Sequence, residues 1–573
     1  MNIYAIGENL LFGKVGHFLI ILTLVTSLTA SISYFLATTF RKNPEKSIPW
    51  VSFGRKLFIL HAVAVIGVLA SLLLIIHQHL FEYKYVWEHT SKDLPIYYQF
   101  SSMWSGQEGS TLLWMFWHAV LGCVLIFKAK DWESPVLSIV ALAQFLLCSM
   151  LLGIYVFGYK LGSNPFALIK DTMDIPIFKM NPDWTPEDGT GLNPSLQNYW
   201  MVIHPPVLFL GFAACTIPAA YAIASLWQRK FTEWVKPVLP WSLFALMVLG
   251  VGILLGGAWA YEALNFGGFW AWDPVENASL VPWLVLAAGI HTLMAYKHTG
   301  YSLHATYALF ISSFLLILYS SFLTKSGVLG DASVHSFTDL GMSGQLIVII
   351  LAFLIPAAYL YIDRTFIKKQ IPSKEKEENL SSREFWLFIG SLVFVFAATH
   401  IITLTSFPVI NKIFGSNIAP PSDIKNHYND VQVWMAALAA IGSACTQFFR
   451  YKISYFRKVV KQLLIAFTIS IVLTILVVIS FQMHRIDFIV MIFSAWFAIL
   501  ANIQYIFQVL KGKLKISGGS VSHIGFALMM LGIIISQGRQ EVLSINKFGI
   551  DYGSGFSDQE IAENVLLYQN EPT

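Results

Sequence analysis

The feature that most constrains this sequence is a series of apolar stretches, each long enough to cross a lipid bilayer as a helix, which takes about 20 residues. Such stretches follow one another along the whole 573-residue chain. A membrane interior leaves no water for backbone groups, so each stretch must form a helix that satisfies its own N–H and C=O groups. We place fourteen of them near residues 16–39, 57–80, 111–127, 134–157, 205–227, 241–260, 280–296, 303–323, 344–362, 385–405, 431–449, 462–482, 487–508 and 517–536. The sequence therefore predicts an all-α polytopic membrane protein with about fourteen transmembrane helices.

The composition supports this class and excludes others. Hydrophobic residues make up 56% of the chain and charged residues 12%, with a mean hydropathy of +0.62, whereas an ordinary soluble domain carries about 25% charged residues. The net charge of only +4 argues against a nucleic-acid partner. The four cysteines include no CxxC pair, so we expect neither a disulfide framework nor a thiolate metal site. We expect residues 1–573 to form a single integral membrane domain.

Lysine and arginine residues predict the orientation of the helices. With the N-terminus outside, 25 of the 37 Lys and Arg residues fall on one side of the membrane, which the positive-inside rule makes cytoplasmic. The long, chemically varied loops then lie outside, as does a short C-terminal tail over residues 537–573. We expect no cleavable signal peptide and no soluble catalytic domain, so the chemistry should lie within the membrane or at its outer face.

The most unusual segment covers residues 259–283, with the sequence W-A-Y-E-A-L-N-F-G-G-F-W-A-W-D-P-V-E-N-A-S-L-V-P-W, between two predicted helices on the outer side. Tryptophans often form a belt at the level of the lipid headgroups, and that interpretation stays open. A belt does not explain the Gly-Gly pair at 267–268, which allows close backbone approach, nor Asp273 and Glu276 within the aromatic cluster. An array of flat rings with a few polar groups suits a large planar apolar ligand with charged edges.

This segment and several others resemble one family. G-G-F-W-A-W-D-P-V-E-N-A-S at 267–279 resembles the tryptophan-rich WWD signature of membrane heme-handling proteins in cytochrome c biogenesis (CcmF, CcmC and CcsA), although Phe269 stands where a further Trp is common. Further matches are W-S-G-Q-E-G-S-T-L-L-W at 104–114, G-L-N-P-S-L-Q at 191–197, I-H-P-P at 203–206, T-K-S-G-V-L at 324–329 and S-R-E at 382–384. Together they resemble the CcmF-type subunit of the cytochrome c heme lyase, over residues 80 to 535. We call residues 259–283 the WWD segment.

The resemblance implies an enzyme of the bacterial inner membrane, with several membrane passes and an active face towards the periplasm. As a heme lyase subunit it would attach heme covalently to the CxxCH cysteines of apocytochrome c. The implied partners are apocytochrome c, a periplasmic heme chaperone similar to CcmE, and subunits similar to CcmH and CcmI that handle thiols and bind the apocytochrome. A quinol is a candidate electron donor. The alternative is a membrane heme transporter or carrier that presents heme without forming the thioether bond.

The resemblance also assigns an outer site for heme as a substrate. His204 and His335 would be the axial ligands of this presented heme, and five residues of the WWD segment would form its platform: Trp259, Trp270, Trp272, Asp273 and Trp283. The residues alone show that the two histidines flank the WWD segment on its side of the membrane. From the residues alone, it also stays open that Asp273 and Glu276 cap a helix.

His291 and His523, which we call the inner histidine pair, are assigned a second heme. Lys297 follows His291 by six residues and Lys515 precedes His523 by eight, so at about 1.5 Å per helical residue both histidines lie roughly 9–12 Å from the cytoplasmic edge. Equal depth on two helices is what ligation of one buried heme requires. The choice of these two histidines follows the resemblance, which implies that they are the axial ligands of a permanently bound heme b that supplies an electron to the incoming heme.

The remaining candidates receive no role in chemistry. Most other histidines are expected near interfaces or in loops, and hydrogen-bonded core positions are favoured for His61, His118 and His400. No catalytic role is assigned to Glu108, Tyr261 or Glu262. A secondary transporter is disfavoured, because no matching pair of Gly- or Pro-broken spans occurs. CcmF-type proteins usually continue into a larger outer domain and a final helix, and we expect that part to lie on another chain or to be dispensable.

Overall fold

The computed structural model describes residues 9–174, 176–181, 184–263, 268–330, 341–372, 380–421, 423–451 and 455–538. Three features of the sequence analysis fall at least partly outside these residues: His335, positions 264–267 of the WWD segment, and the tail beyond residue 538.

The described chain is helical almost throughout, which confirms the predicted fold class. The first part contains α1 (Leu11–Thr39), α2 (Pro44–His77), α3 (Lys84–His89), α4 (Ile96–Ser102), α5 (Gln107–Lys128), α6 (Glu133–Ser149), α7 (Ile169–Thr172), α8 (Ile177–Met180), α9 (Tyr199–Gln228) and α10 (Val235–Ala263). The second part contains α11 (Pro274–Thr299), α12 (Leu303–Lys325), α13 (Ser343–Ile362), α14 (Arg383–Thr405), α15 (Phe407–Phe414), α16 (Ile424–Thr446), α17 (Phe456–Phe481), α18 (Ile486–Gln508) and α19 (Gly518–Gly538).

A short β-hairpin departs from the all-helical prediction. Strands β1 (Ile154–Val156) and β2 (Tyr159–Leu161) pair antiparallel, with Ile154 opposite Leu161. The two residues between them, Phe157 and Gly158, both have positive φ (+50° and +83°), which matches the type I′ turn that best fits the twist of a two-residue hairpin. The predicted span 134–157 therefore ends eight residues early, at Ser149.

Thirteen of the described helices are long and apolar enough to cross a membrane. The remaining predicted span, 431–449, corresponds to α16, which is helical over 23 residues but begins with the polar sequence I-K-N-H-Y-N-D. Asp423 caps this helix, accepting a hydrogen bond from the backbone N–H of Asn426 at 2.9 Å. That hydrogen bond holds the pKa of Asp423 below its usual value, as expected for a carboxylate at a helix N-terminus.

The long helices alternate in direction, as the predicted topology requires. Trp104 donates to the carbonyl of Met201 at the end of the bundle that carries residues 268–273, which we call the outer end after the predicted orientation. At the opposite, inner end, Arg55 pairs with Glu133 at 2.6 Å. Helices α5 and α9 therefore begin at the outer end, whereas α6 begins at the inner end.

Two large groups of buried apolar side chains hold the bundle together. One joins the helices from α1 to α13, and the other joins α16, α17, α18 and α19. Helix α11 is buried on most of its surface and packs against α10, α12 and α14. Because α11 contains residues 274–283 of the WWD segment and also carries His291, its central place fixes the positions of both predicted heme sites.

Candidate functional site

The WWD segment contains a complete helix cap at the start of α11. Asp273 accepts a hydrogen bond from the backbone N–H of Val275 at 2.8 Å, and Glu276 accepts from the N–H groups of Ala271 (3.0 Å) and Asp273 (3.2 Å). Pro274 occupies the first helical position, where its fixed φ suits the helix. This reciprocal arrangement is a capping box, so the capping alternative holds for Asp273 and Glu276.

Trp270 and Trp272 lie edge to face rather than in one plane. Their ring centroids are 5.9 Å apart and their planes meet at 86°. Trp272 has φ +59°, a left-handed conformation that is uncommon for a bulky residue. Its ring stacks on Tyr428 of α16 at 5.0 Å and 14°, and its indole N–H donates to Asn429 at 2.9 Å. These two tryptophans form a corner between α11 and α16 instead of a flat array.

The other two platform tryptophans lie in different surroundings. Trp259 of α10 packs edge-on against the His204 ring, with centroids 5.8 Å apart. Trp283 donates its indole N–H to the carbonyl of Leu246 at 2.9 Å, inside the contact between α10 and α11. The structure thus brings Trp259 to His204, and it places Trp283 in helix packing deeper in the bundle.

His204 lies in the second turn of α9 and faces α10. Its Nδ1 donates to the carbonyl of Gly252 at 2.9 Å, so in the neutral ring the lone pair is on Nε2, the atom that can ligate iron. A Cβ at Gly256 would lie 2.8 Å from His204 Cε1, so glycine at this position leaves room for the imidazole. His335, its predicted partner, lies outside the described residues, and their pairing stays a prediction.

Unsatisfied polar atoms collect around the WWD segment. Four buried atoms have no hydrogen-bond partner within the described structure: Trp270 Nε1, Glu276 Oε1, Asn277 Oδ1 and Gln537 Oε1. Gln537, at the end of α19, donates its amide to the carbonyl of Trp270 at 2.9 Å. Buried polar atoms are normally paired with protein, water or ligand. The one donor among them, the Trp270 indole N–H, can pair with a ligand carboxylate, whereas the three oxygens need donors.

The structure brings the two residues of the inner histidine pair close together. The imidazole centroids of His291 on α11 and His523 on α19 are 6.4 Å apart, and their planes differ by 13°. Two imidazoles on one metal ion, each with a metal–nitrogen distance of about 2 Å, have centroids about 6 Å apart. His291 Nδ1 donates to the carbonyl of Ala287 at 2.7 Å, which leaves the Nε2 lone pair for the metal. The spacing of the two rings and the tautomer of His291 fit a bis-histidine heme.

Gln447 of α16 lies against the second member of the pair, and sequence reasoning missed it. Its amide nitrogen is 3.1 Å from His523 Nδ1, its amide oxygen accepts from Ser520 at 2.5 Å, and it also bonds Asn502. In this arrangement His523 accepts at Nδ1. The same amide nitrogen also donates to the carbonyl of Ser443 at 3.2 Å. Because a carbonyl can only accept, that nitrogen is a donor, and His523 carries its proton on Nε2 in this arrangement. Gln447 therefore sets the tautomer of His523 with the proton on Nε2, whereas ligation of a metal through Nε2 needs the proton on Nδ1.

Two of the sequence motifs that carried the resemblance touch each other at the outer end. Lys325 of T-K-S-G-V-L donates from a buried position to Ser110 at 2.5 Å and to the carbonyl of Gln107 at 3.3 Å, both in the W-S-G-Q-E-G-S motif. Glu108 of the same motif accepts from Ser163 at 2.5 Å. This contact fixes the start of the segment that carries His335.

Glu262 has a structural role that the sequence did not reveal. Its carboxylate accepts hydrogen bonds from Tyr199 (2.8 Å) and from the indole of Trp200 (2.7 Å), and it thereby joins the outer ends of α9 and α10. The Tyr-Trp pair at the start of α9 was the only sign in the sequence of such a contact. Nothing in the sequence indicates that its partner lies more than 60 positions later.

Comparison with known proteins gives one consistent result. A family model described as Cytochrome C assembly protein matches residues 104–329. The chain is 32% identical over 475 residues to the cytochrome c-type biogenesis protein CcmF of Pseudomonas fluorescens, covering 80% of this chain and 67% of that protein. For CcmF of Escherichia coli strain K12 the identity is 31% over 464 residues, covering 80% and 68%. A solved structure described as Cytochrome c Heme Lyase CcmF shares the fold, with TM-score 0.71 and 20% identity over 94% of this chain and 79% of that chain.

Proposed function

Because this chain belongs to the CcmF family of cytochrome c-type biogenesis proteins, we propose that it is the subunit of a heme lyase that joins heme to apocytochrome c. We place this reaction at the periplasmic face of a bacterial inner membrane. The observation that carries the proposal is the meeting of His291 and His523 inside the bundle. A carrier that only presents heme needs the outer site, whereas a lyase that must keep heme iron ferrous gains from a second redox centre.

The inner histidine pair would hold heme b, which when bound supplies reversible one-electron chemistry. The chain's own residues orient the two ligands. The Ala287 carbonyl fixes the tautomer and ring direction of His291. Gln447 holds the ring of His523, whose proton would have to move from Nε2 to Nδ1 when the heme binds. Such outer partners of a ligating histidine hold its ring in place and tune its basicity.

At the outer end, the presented heme is a substrate. His204 would contact its iron, with His335 as the proposed second ligand, and the Trp270–Trp272 corner would receive the macrocycle. The unpaired Trp270 N–H would donate to a propionate carboxylate. Each cysteine thiol of the CxxCH motif would then add across a vinyl group: the sulfur bonds to one vinyl carbon and the proton goes to the other.

The protein's contribution to this addition is positioning. Holding a vinyl group and a thiol together makes the reaction nearly unimolecular, which is worth several kcal/mol of the barrier, on the order of 7–11 in favourable cases. A heme chaperone similar to CcmE would deliver the heme, and subunits similar to CcmH and CcmI would deliver the reduced apocytochrome.

The test is cytochrome c maturation in a cell that depends on this protein. We expect His291→Ala to remove holocytochrome c from heme-stained gels while the variant still accumulates in the membrane and still binds heme delivered at the outer end. Normal holocytochrome c in His291→Ala and His523→Ala strains would favour the carrier alternative.

A further inference from the structure

A cavity of about 250 Å³ lies at the inner end of the bundle, and none of the residues of either predicted heme site lines it. Its walls come from the ends of α1 and α9, the first turns of α2 and the start of α6. We call it the inner cavity, and five of the residues that line it are charged: Arg41, Arg55, Lys130, Asp131 and Glu133.

Two of these charges compensate each other. Arg55 donates to both carboxylate oxygens of Glu133, from Nε at 2.7 Å and from Nη2 at 2.6 Å. The Glu133 side chain is buried, and Tyr34 also donates to it at 3.4 Å. A buried carboxylate bonded in this way needs no further cation. Within the described residues the Nη1 group of Arg55 has no partner, so it is available to a ligand.

The other two cations of the cavity have no carboxylate partner within the described structure. Arg41 donates to a backbone carbonyl, that of Gln228, at 3.3 Å, and Lys130 makes no ion pair. Asp131, which is exposed, is the one carboxylate that stands against them. Six further basic residues stand within two sequence positions of a cavity residue, against one further acidic residue, Glu45: Lys42, Lys46, Lys56, Lys128, Arg229 and Lys230.

The hydrogen-bonding groups of the wall also suit an anion. Gln228 lines the cavity, and its amide Nε2 is buried without a partner within the described structure, so the wall holds one more N–H donor. Guanidinium, ammonium and amide N–H groups together match the oxygens of a phosphate, which only accept. A phosphate group is therefore the ligand that this set of side chains fits best.

An apolar surface continues from the cavity towards the membrane centre. Phe35 and Trp227, whose rings stack at 5.1 Å and 11°, precede the cavity residues Ala37 and Gln228 by two positions and one. Phe35 is 49% exposed, and Ile32, one turn deeper on α1, is 48% exposed. Exposed apolar side chains of a membrane-spanning helix meet acyl chains. A lipid would use both the cavity and this surface, whereas a soluble phosphate would use only the cavity.

From these observations we propose that the inner cavity binds the head of an anionic phospholipid, such as phosphatidylglycerol, from the cytoplasmic leaflet. Arg41 and Lys130 contact its phosphate. Arg55 donates to the phosphate from Nη1 while its other nitrogens hold Glu133, and an acyl chain lies along Phe35. Basic pockets between membrane helices on the cytoplasmic side are typical sites for such head groups. The lipid would join the ends of α1 and α9 to α2 and α6 and so stabilise the folded chain.

The experiment uses the purified full chain in phosphatidylcholine nanodiscs that contain a small fraction of phosphatidylglycerol with a diazirine close to its head. Mass spectrometry locates the cross-links after illumination. We expect labelled peptides from residues 32–55 and 128–135. Unlabelled phosphatidylglycerol should compete for this labelling, and neither additional phosphatidylcholine nor millimolar inorganic phosphate should do so.

The main variant removes the two cations without a carboxylate partner. We expect Arg41→Gln/Lys130→Gln to weaken the labelling about tenfold or more, because glutamine keeps a hydrogen-bond donor but no charge to attract the phosphate. Arg457→Gln/Lys458→Gln is the matched control. It removes the same two charges from exposed positions at the inner end of α17, and it should label like wild type.

A second variant tests the site in the opposite direction. Asp131→Asn removes the one carboxylate that repels the phosphate, so we expect labelling to become about threefold stronger, a gain that misfolding cannot produce. Arg55 stays unchanged in every variant, because its loss would leave the buried charge of Glu133 unpaired. Thermal unfolding without phosphatidylglycerol shows that each variant is folded.

Unchanged labelling in Arg41→Gln/Lys130→Gln, or an equal loss in the control variant, would overturn the site. Competition by inorganic phosphate as strong as that by phosphatidylglycerol would identify a soluble phosphate as the ligand and overturn the lipid assignment. Equal competition by phosphatidylcholine would show that the net charge of the lipid plays no part, which would also overturn the proposal.

Discussion

The inner histidine pair and the outer WWD segment are built in opposite ways. His291 and His523 project from the interiors of two regular helices, and helix packing alone brings their rings to 6.4 Å. The outer site uses the ends of helices and the segments between them, with rings at right angles and one residue, Trp272, in a left-handed conformation. Ligand sites within helices can be predicted from the depth of each residue along its helix. Sites on connecting segments depend on backbone turns, which this depth does not show.

The largest expected difference between the two regions is in the heme spectrum. We expect His291→Ala or His523→Ala to abolish a bis-histidine b-type spectrum in purified protein, and His204→Ala to leave it intact. Because removing a buried hydrogen-bonded group also costs about 1–3 kcal/mol, His291→Gly and His523→Gly with added imidazole are the controls for misfolding. Spectra of both alanine variants that match wild type would refute the heme b assignment.

The next largest effect on heme attachment is expected at the Trp270–Trp272 corner. We expect Trp270→Ala/Trp272→Ala to reduce holocytochrome c severely without loss of the inner heme, because a planar macrocycle gains about 25 cal/mol for each Å² of apolar surface it buries. Single Trp→Phe changes should be mild. The belt interpretation predicts instead that the double variant lowers the amount of protein in the membrane, which immunoblots of the same samples measure.

Trp283 separates packing from heme contact. Its indole bonds Leu246 within the α10–α11 interface, so we expect Trp283→Phe to cost about 1 kcal/mol of stability and to leave heme attachment near normal. Thermal unfolding in detergent provides the measurement. A defect in heme attachment at unchanged stability would show that Trp283 belongs to the platform that contacts the presented heme.

A change at Gly256 tests the outer site from its other side. The methyl group that Gly256→Ala adds would lie 2.8 Å from His204 Cε1. Because real contacts are not that close, the imidazole must move. We expect weaker heme binding at the outer end and an unchanged inner heme. Gly442→Ala, where a Cβ meets no atom within 4 Å, is the matched control for the loss of a helical glycine.

The smallest effect is expected at Gln447. A carboxylate in Gln447→Glu would accept the Nδ1 proton of His523, make the ligand more basic and lower the heme reduction potential, by on the order of tens of millivolts. Gln447→Leu removes the partner and should raise the potential. A redox titration that finds the same potential in both variants would show that Gln447 does not tune His523.

The sequence was most informative where one physical force dominates. The thickness of a bilayer predicted the long helices, and the same logic led us to expect His291 and His523 at a common depth. It was less informative where competing local interactions decide the conformation. Nothing in the pattern indicated that the Phe157–Gly158 turn would replace the end of a span, or that Trp272 would turn away from Trp270 to stack on Tyr428.

Polar residues near a bundle rim were the hardest to interpret. His427, whose ring centroid lies 6.1 Å from that of His400, is in a polar first turn that looks like an ordinary helix start, and Gln447 lies at the end of an apolar run. Their partners, His400 and His523, are 27 and 76 residues away in the chain. Only the packing of α16 against α14 and α19 brings these side chains together.

The placement of the inner histidine pair on α11 and α19 also has a consequence for biosynthesis. Polytopic chains are made from the N-terminus onwards, and their early segments can fold before later ones exist. His291 enters the membrane long before His523 is translated, so the pocket between them cannot form until α19 has been inserted and has packed against α16 and α18. Uptake of a metal cofactor there would stabilise only fully inserted chains, and a ribosome that stops early would leave a product that cannot be loaded.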